Sequence, residues 1–443
     1  MGIEELRRRT LLKIHITSCL VVVCMQLVVS GRALAQQQAP AQVAAHDGVA
    51  GPTAADSAVP LADRERLRTL IEVAKQRAPE VSLAQAELTS SRSALVNGRM
   101  APLGNPYLEI TADRGNKGVT KDVAITGTLW LPVEVSGQRG SRGREAEDYV
   151  TLHAAFVQQA RARAAARAVK AYGFSVVAAE RTTVLTELLT SARAEAQLMA
   201  ERVKAGDAIA RDASLAAVEA ARHEVMLAET HAELLRARGE LAELLGTEQL
   251  ESLPPTAPPS LRPSDFRGVK IDQIPQSQAL RAEARFHSAS AERLAREGQS
   301  PLSLGLVAGR GDYGETRLGG GLAYAFPVFR ANRAERARAA AESQRALSEK
   351  RLQESVAARR LKLLQLEQEQ LVRALSTLTS TALPAAQLAV SAVQETYSAG
   401  KAEMLAVLLS RRELSALSLR RLELLERNWL LVSEYVDITG DLP

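Results

Sequence analysis

Cysteine is almost absent from this chain. Of 443 residues only Cys19 and Cys24 carry a thiol, and both lie near the start. Disulfides therefore cannot hold the rest of the chain together. Aromatic residues are scarce too, at 3%, and the first is Tyr107. Large compact cores draw much of their buried area from aromatic rings, so a compact enzyme domain is disfavoured. After residue 35 no stretch approaches the ~18 apolar residues that a membrane helix needs, and any membrane span there would have to be built of β-strands. Proline is missing from Val133 through Leu253, which lets helices run unbroken. In abundance are Ala, Leu, Arg and Glu, the composition of long helices.

The first 35 residues stand apart. Arg7, Arg8, Arg9 and Lys13 form a positive start, Ile14 to Val29 is mostly apolar, and Ala33-Leu34-Ala35 fits a small-residue cleavage site. This is the pattern of a secretory signal peptide, and both cysteines belong to it. Val23 precedes Cys24 where lipidation favours a small residue, which argues against a lipid anchor. Removing the segment takes five basic and two acidic side chains, so the net charge falls from +5 to +2 over the remaining 408 residues. That balance gives no ground for a nucleic-acid partner.

Residues 36–61 are rich in Ala, Gln and Pro without periodicity and read as a flexible leader. Helical spacing then runs from Leu61 to Met100. In Tyr107 to Asp113 the period becomes two: Leu108, Ile110 and Ala112 alternate with Glu109, Thr111 and Asp113, which predicts a strand. Val123, Ile125, Gly127, Leu129 and Leu131 form the apolar face of a second strand, over about 121–131, which Pro132 ends. Helices follow over about 140–204 and 208–245, interrupted at Ala205-Gly206-Asp207. At ~1.5 Å per residue the first is about 100 Å long, and its Ala, Leu and Val suit coiled-coil packing.

A proline-rich linker occupies 252–275, and the programme then repeats: a helix over 276–296, strands at 302–310 and 318–326, a long helix over 333–398 broken at Ala399-Gly400, and a last helix over 403–438. Pro79 and Pro275 are 196 residues apart, Pro106 and Pro301 are 195 apart, as are Pro132 and Pro327, and Gly206 and Gly400 are 194 apart. Four landmarks at nearly one offset mark an internal duplication, with a first repeat at 62–251 and a second at 276–443. Pro384 has only Leu189 as its counterpart, so the second long helix should kink and the first should not.

Strands of about nine to eleven residues can cross an outer membrane when tilted. The residues predicted to face lipid are Leu108, Ile110, Val123, Ile125, Leu129, Leu131, Leu302, Leu304, Leu306, Leu318, Leu322, Tyr324 and Phe326. Six of the fifteen aromatics fall in 107–132 and 302–329: Tyr107, Trp130, Tyr313, Tyr324, Phe326 and Phe329. Aromatic girdles would produce this enrichment, and so would an ordinary half-buried sheet. Four strands cannot close a barrel, and lipid does not tolerate open edges. Several protomers would have to share one barrel, and three would supply twelve strands. At the other end, Ala205, Gly206 and Asp207, and Ala399, Gly400 and Lys401, form two helical tips. They read either as structural caps or as a docking surface for another helical protein.

Taken together these features resemble the TolC-type outer membrane efflux proteins. The resemblance is carried by Ala-Pro-Glu at 78–80, Asn-Pro at 105–106, Leu-Pro-Val-Glu-Val-Ser-Gly-Gln-Arg-Gly at 131–140 and its echo Phe-Pro-Val-Phe-Arg-Ala-Asn-Arg at 326–333. Tyr397-Ser398-Ala399-Gly400, followed by Leu405, Val407 and Leu408, adds to it, and the likeness covers about 62–438. It implies a mainly α fold with a small β part: a homotrimer whose long coiled-coil helices form an α-barrel tunnel through the periplasm, joined to a shared 12-strand transmembrane β-barrel. It implies a passive exit duct in the outer membrane of a Gram-negative envelope, not an enzyme and without a cofactor. Its partners would be outer membrane lipid, a periplasmic adaptor at the tips and a proton-driven inner-membrane pump. The stretch 131–144 and the short mature length resemble the cobalt–zinc–cadmium branch, with drug or organic-solute export as the alternative.

One departure stands out. Family aspartates just past the second tip line the closed entrance, whereas Leu405-Ala406-Val407-Leu408-Leu409 carries no acid. Asp207, Asp212 and Glu403 are the candidates for entrance charge, although acids in a first helical turn also suit the helix dipole. Two other functions compete with the duct for small solutes: a soluble periplasmic coiled-coil scaffold or adaptor, and an outer membrane duct for protein secretion. The scaffold leaves four alternating strands at matched positions unexplained. His46, His153, His223, His231 and His287 form no ligand-spaced pair, so no metal site is expected. Met199 and Met404 read as core rather than as a soft-metal relay, and glycines 319–321 as strand positions that allow close packing or bending.

Overall fold

A computed structural model of the chain describes residues 63–114, 123–247, 268–311, 315–328 and 332–442. The predicted signal peptide (1–35), the leader (36–61), most of the linker 252–275, the turn at 115–118, Tyr313 and Phe329 lie outside the described residues.

Three short helices open the described chain: α1 (Asp63–Arg77), α2 (Pro79–Ser91) and α3 (Ala94–Arg99). Pro79 occupies the first turn of α2, and the extended backbone of Ala78 before it (ψ 140°) separates α1 from α2, as a residue preceding proline should. Strands β1 (Tyr107–Arg114) and β2 (Val123–Val133) come next, then α4 (Gln138–Ala205) and α5 (Ala210–Leu245). After a 3₁₀ turn at Ile271–Gln273 the second half contributes α6 (Pro275–Glu297), β3 (Leu302–Arg310), β4 (Thr316–Tyr324), α7 (Arg333–Thr377), α8 (Leu383–Ser398) and α9 (Met404–Thr439).

The unbroken α4 has 68 residues, about 100 Å at ~1.5 Å each. It is the spine of the described unit: α1, α2, α3, α5, α6 and α9 all pack on it, and α6 also packs on α7. Alanine lines much of the seam, with Ala164, Ala165, Ala168 and Ala171 buried, which lets backbones approach closely. The bulkiest core pair is Tyr172 against Trp429, edge to face with centroids 5.6 Å apart. Gly173 makes the room, because a Cβ there would lie 2.3 Å from Cγ of Trp429. Arg181 of α4 joins Glu233 of α5 (2.9 Å) to Glu426 of α9 (2.7 Å). Such part-exposed pairs contribute at most about 1 kcal/mol each, so burial rather than charge holds the helices together.

The kink expected at Pro384 takes the form of a widened turn. Leu378–Ala382 is π-helical between α7 and α8, and the amide of Leu383 reaches back to the carbonyl of Leu378. Proline has no N–H to give the carbonyl four residues earlier, and the wider turn absorbs the gap. Hydroxyls of Thr379 and Ser380 bond the carbonyls of Leu375 (2.8 Å) and Ser376 (2.7 Å) beside it. In α4 the helix runs through Leu189 without a break.

The four strands form one antiparallel sheet in the order β1-β2-β3-β4. Two expectations need correction here. Pro132 does not end β2: it lies inside the strand, opposite Ser303, and its carbonyl accepts the Gly104 amide at 2.8 Å. Its missing N–H falls on the β1 side, beyond the start of that strand, where no ladder bond is lost. β4 covers 316–324 rather than 318–326, and Phe326 lies outside it. Tyr324 pairs with Leu302, the first residue of β3. Pro301 before it has no N–H to extend the ladder, so Phe326 finds no partner strand.

Candidate functional site

Two regions of this fold have chemistry to explain: one face of the sheet, and the helical tips far from it. The register puts Leu108 opposite Leu129, Leu129 opposite Leu306, Leu131 opposite Leu304, and Leu304 opposite Leu322. Side chains alternate across a strand. Leu108, Ile110, Val123, Ile125, Leu129, Leu131, Leu302, Leu304, Leu306, Leu318, Leu322 and Tyr324 therefore share one face. Among the described residues no element packs on that face: Leu318 is 81% exposed, Leu322 74% and Leu306 70%. At ~1.5–3 kcal/mol for each large apolar side chain, leaving about ten in water forgoes roughly 15–30 kcal/mol. A patch of this size is a contact surface, so the half-buried soluble sheet does not account for it. The edges, β1 and β4, are also unpaired among the described residues.

The opposite face is small and polar, with Thr111, Thr126, Thr128, Ser303, Gly305 and Gly319. It also carries Tyr107 and Trp130, which the aromatic-girdle reading grouped with Tyr324. Strand parity separates them: Trp130 alternates with Leu129 and Leu131 and points the other way.

The tips are defined by two glycines with left-handed backbone, Gly206 (φ 83°) and Gly400 (φ 73°). Both close a helix in the same way. The Gly206 amide donates to Val203 (3.1 Å) and the Asp207 amide to Arg202 (2.8 Å); the Gly400 amide donates to Tyr397 (2.9 Å) and the Lys401 amide to Thr396 (2.9 Å). This is the Schellman arrangement, which needs a residue free of Cβ strain at the glycine position. Ala205 and Ala399 precede these glycines, and Ala205, Gly206, Asp207, Gly400 and Lys401 are exposed.

The two hairpins are fastened together. Arg202 donates from Nη1 to the Tyr397 hydroxyl at 2.5 Å, and its guanidinium lies 5.5 Å from the ring centroid. Met199, Ala216, Met404 and Val407 form a small buried cluster behind this contact, so both methionines sit in a core. Further along, Arg411 of α9 pairs with Glu195 of α4, donates to Ser191 Oγ at 2.8 Å and reaches Gln394 of α8 at 3.4 Å. Burial pulls the Arg411 guanidinium below its ordinary value, yet arginine stays a cation at neutral pH.

Of the three candidate entrance acids, Asp207 is exposed in the tip turn. Asp212 is half-buried in the first turn of α5 and bonds Arg211 at 3.3 Å. Glu403 stands at the N-cap of α9 and makes no side-chain cap bond. The geometry thus puts all three near the tips and, among the described residues, draws only Asp212 into a local pair. Among the described residues no group of three metal-ligating side chains comes together.

No family model matches the chain. A curated relative, the cobalt-zinc-cadmium resistance protein CzcC of Cupriavidus metallidurans, is 28% identical over 372 residues, which is 81% of this chain and 86% of the relative. Among solved structures, the outer-membrane channel OprN superposes with a TM-score of 0.66 at 20% identity, over 85% of this chain and 90% of that one. The outer membrane protein VceC from Vibrio cholerae gives 0.67 at 18% identity, over 85% and 97%. This chain has the TolC-type fold.

Reading the sequence alone missed the side-chain contacts between the tips. Arg202 and Tyr397 are 195 residues apart, one more than the tip glycines Gly206 and Gly400, so they are not equivalent positions and the duplication does not point to their contact. Trp130 was also missed as a residue of the opposite face, although its even number against the odd-numbered apolar run was the signal.

Proposed function

We propose that this chain is the outer membrane channel of a tripartite efflux system. Three protomers would share a 12-strand barrel, each supplying its four-stranded sheet, with the apolar face toward lipid and the polar face toward the lumen. The observation that supports this reading is an apolar face that is uncovered, on a sheet whose two edges are unpaired, among the described residues. Trimeric closure would pair β1 of one protomer with β4 of the next and leave no open edge. The chain acts as a passive exit duct, and free energy for transport comes from a proton-driven inner-membrane pump. A periplasmic adaptor docks at the tips around Ala205, Gly206 and Asp207 and around Ala399, Gly400 and Lys401. The likeness to CzcC supports heavy-metal cations as cargo. Opening is a splaying of the tip hairpins, which the Arg202–Tyr397 and Arg411–Glu195 contacts resist, with Asp207, Asp212 and Glu403 as entrance charges.

The test is gel migration of the detergent-extracted outer membrane fraction with and without heating, after crosslinking. A heat-sensitive trimer in that fraction is expected. A monomer released by carbonate would overturn the channel and favour the soluble scaffold. For the tips, Gly400→Pro is expected to leave trimers intact and to abolish crosslinking to the adaptor, because proline fixes φ near −65° and removes the amide that bonds Tyr397. Undiminished crosslinking would contradict the tip assignment.

A further inference from the structure

The polar face of the sheet carries one built feature that a plain conduit does not require. Trp130 of β2 lies flat across its neighbours: a Cβ on Gly305 of β3 would come within 2.6 Å of its Cζ3, and one on Gly321 of β4 within 3.1 Å of its Cη2. The ring can rest there because Gly305 has no Cβ, and Gly321 leaves it further room. Its Nε1 donates to Glu109 Oε2 of β1 at 2.8 Å, and Tyr107 stacks beside it with centroids 6.5 Å apart and planes at 26°. One indole thus spans all four strands. Among the described residues Glu109 has no ion-pair partner, and its Oε1 makes no hydrogen bond. The result is a carboxylate with a free oxygen at the edge of a stacked aromatic pair, on a face that also carries glycine, alanine and hydroxyl residues, Pro132 and Val307, and, nearer the far end of the strands, Asp113 and Arg317. It lies at the helix end of the sheet, since Tyr107 begins β1 and Trp130 is three residues from the end of β2.

We infer that Trp130, Glu109 and Tyr107 form a cation station on the lumen wall, where a permeant cation meets the carboxylate and the aromatic faces together. Both components favour positive charge: the carboxylate by Coulomb attraction and the rings by their negative faces. Threefold symmetry would place three such stations at one level of the duct, where they raise the local concentration of cations over anions. The ligand class is a permeant cation, inorganic or organic, and the station rests on the channel reading above for its place in a lumen.

Tryptophan fluorescence gives a direct test, because the chain has two tryptophans and Trp429 is fully buried in the helical core. Full-length protein in detergent is titrated with caesium chloride and, separately, with potassium iodide. The caesium-to-iodide quenching ratio is expected to exceed that of free tryptophan, and Glu109→Gln to lower it by about twofold or more. Trp130→Leu is the control and should abolish quenchable emission. Potassium-over-chloride permeability in planar bilayers, measured on the same preparations, should fall in Glu109→Gln. An unchanged quenching ratio with channels still conducting overturns the station alone. No channel openings in any variant overturns the channel reading, and the station with it. Migration of Glu109→Gln as the wild-type oligomer on unheated gels shows that a change is not misfolding.

Discussion

The two tryptophans of this chain stand for two regions that solve packing in opposite ways. Trp429 is buried in the helical body, pressed on Gly173 and edge-on to Tyr172. Trp130 also lies on glycines, but on an open sheet that buries little except Ala124, Thr128 and Gly305. The helical body buries its large residues against itself within one protomer. The sheet supplies apolar area with nothing of its own to cover it. The difference teaches where each region's stability comes from: internal packing for the helices, the surroundings for the strands.

The largest effect should come from the helical side of that contrast. Trp429→Ala leaves a cavity behind Tyr172 and is expected to destabilise the helical body by about 3–5 kcal/mol, read as a lower thermal midpoint of helical circular dichroism. Next comes the sheet. Leu306→Arg puts a charge on the exposed apolar face and is expected to cost about 2–4 kcal/mol of membrane insertion, measured as loss of oligomer from the outer membrane fraction. If the two regions draw on different sources, the helical signal of this variant in detergent stays near wild type. A parallel loss of both signals would break the comparison.

Smaller effects sharpen it at the tips. Tyr397→Phe removes the acceptor of the Arg202 bond and should weaken the link between hairpins by about 1 kcal/mol. More frequent opening in single-channel records checks this, and the effect should be absent in an Arg202→Ala background. The smallest effect concerns pH. Burial holds the His223 imidazole below the usual histidine range, with Arg222 adding to the shift and Glu219 opposing it. A group whose folded pKa is depressed binds its proton more readily when unfolded, so stability falls as pH drops below about 6.5. Unfolding midpoints between pH 7 and 5 should decline less steeply in His223→Gln than in wild type.

Much of this was legible in the residues. Period-two alternation in Tyr107 to Asp113 and the proline-free run after Val133 announce strands and a long helix, because both patterns follow from backbone geometry alone. Gly206 and Gly400 mark the tips, since left-handed backbone at a helix end selects glycine. What escaped depends on partners. Whether Phe326 belongs to a strand is decided by where β3 begins, and the sequence of β4 does not contain that fact. Pro132 has the residue type of a strand terminator, yet its missing N–H matters only on the side where a neighbour needs it. The Arg411–Glu195 pair spans 216 residues, not the offset of the repeat, so no symmetry argument reaches it.

If the chain is a channel, one face of the sheet meets lipid and the other meets water. The chain after residue 35 has no cysteine, so single cysteines can be placed along β3 at 302–307 and spin-labelled in the membrane-reconstituted protein. Alternation is expected: high oxygen accessibility at 302, 304 and 306, and high accessibility to a water-soluble nickel complex at 303, 305 and 307. Accessibility to the nickel complex at all six positions, without alternation, would contradict it.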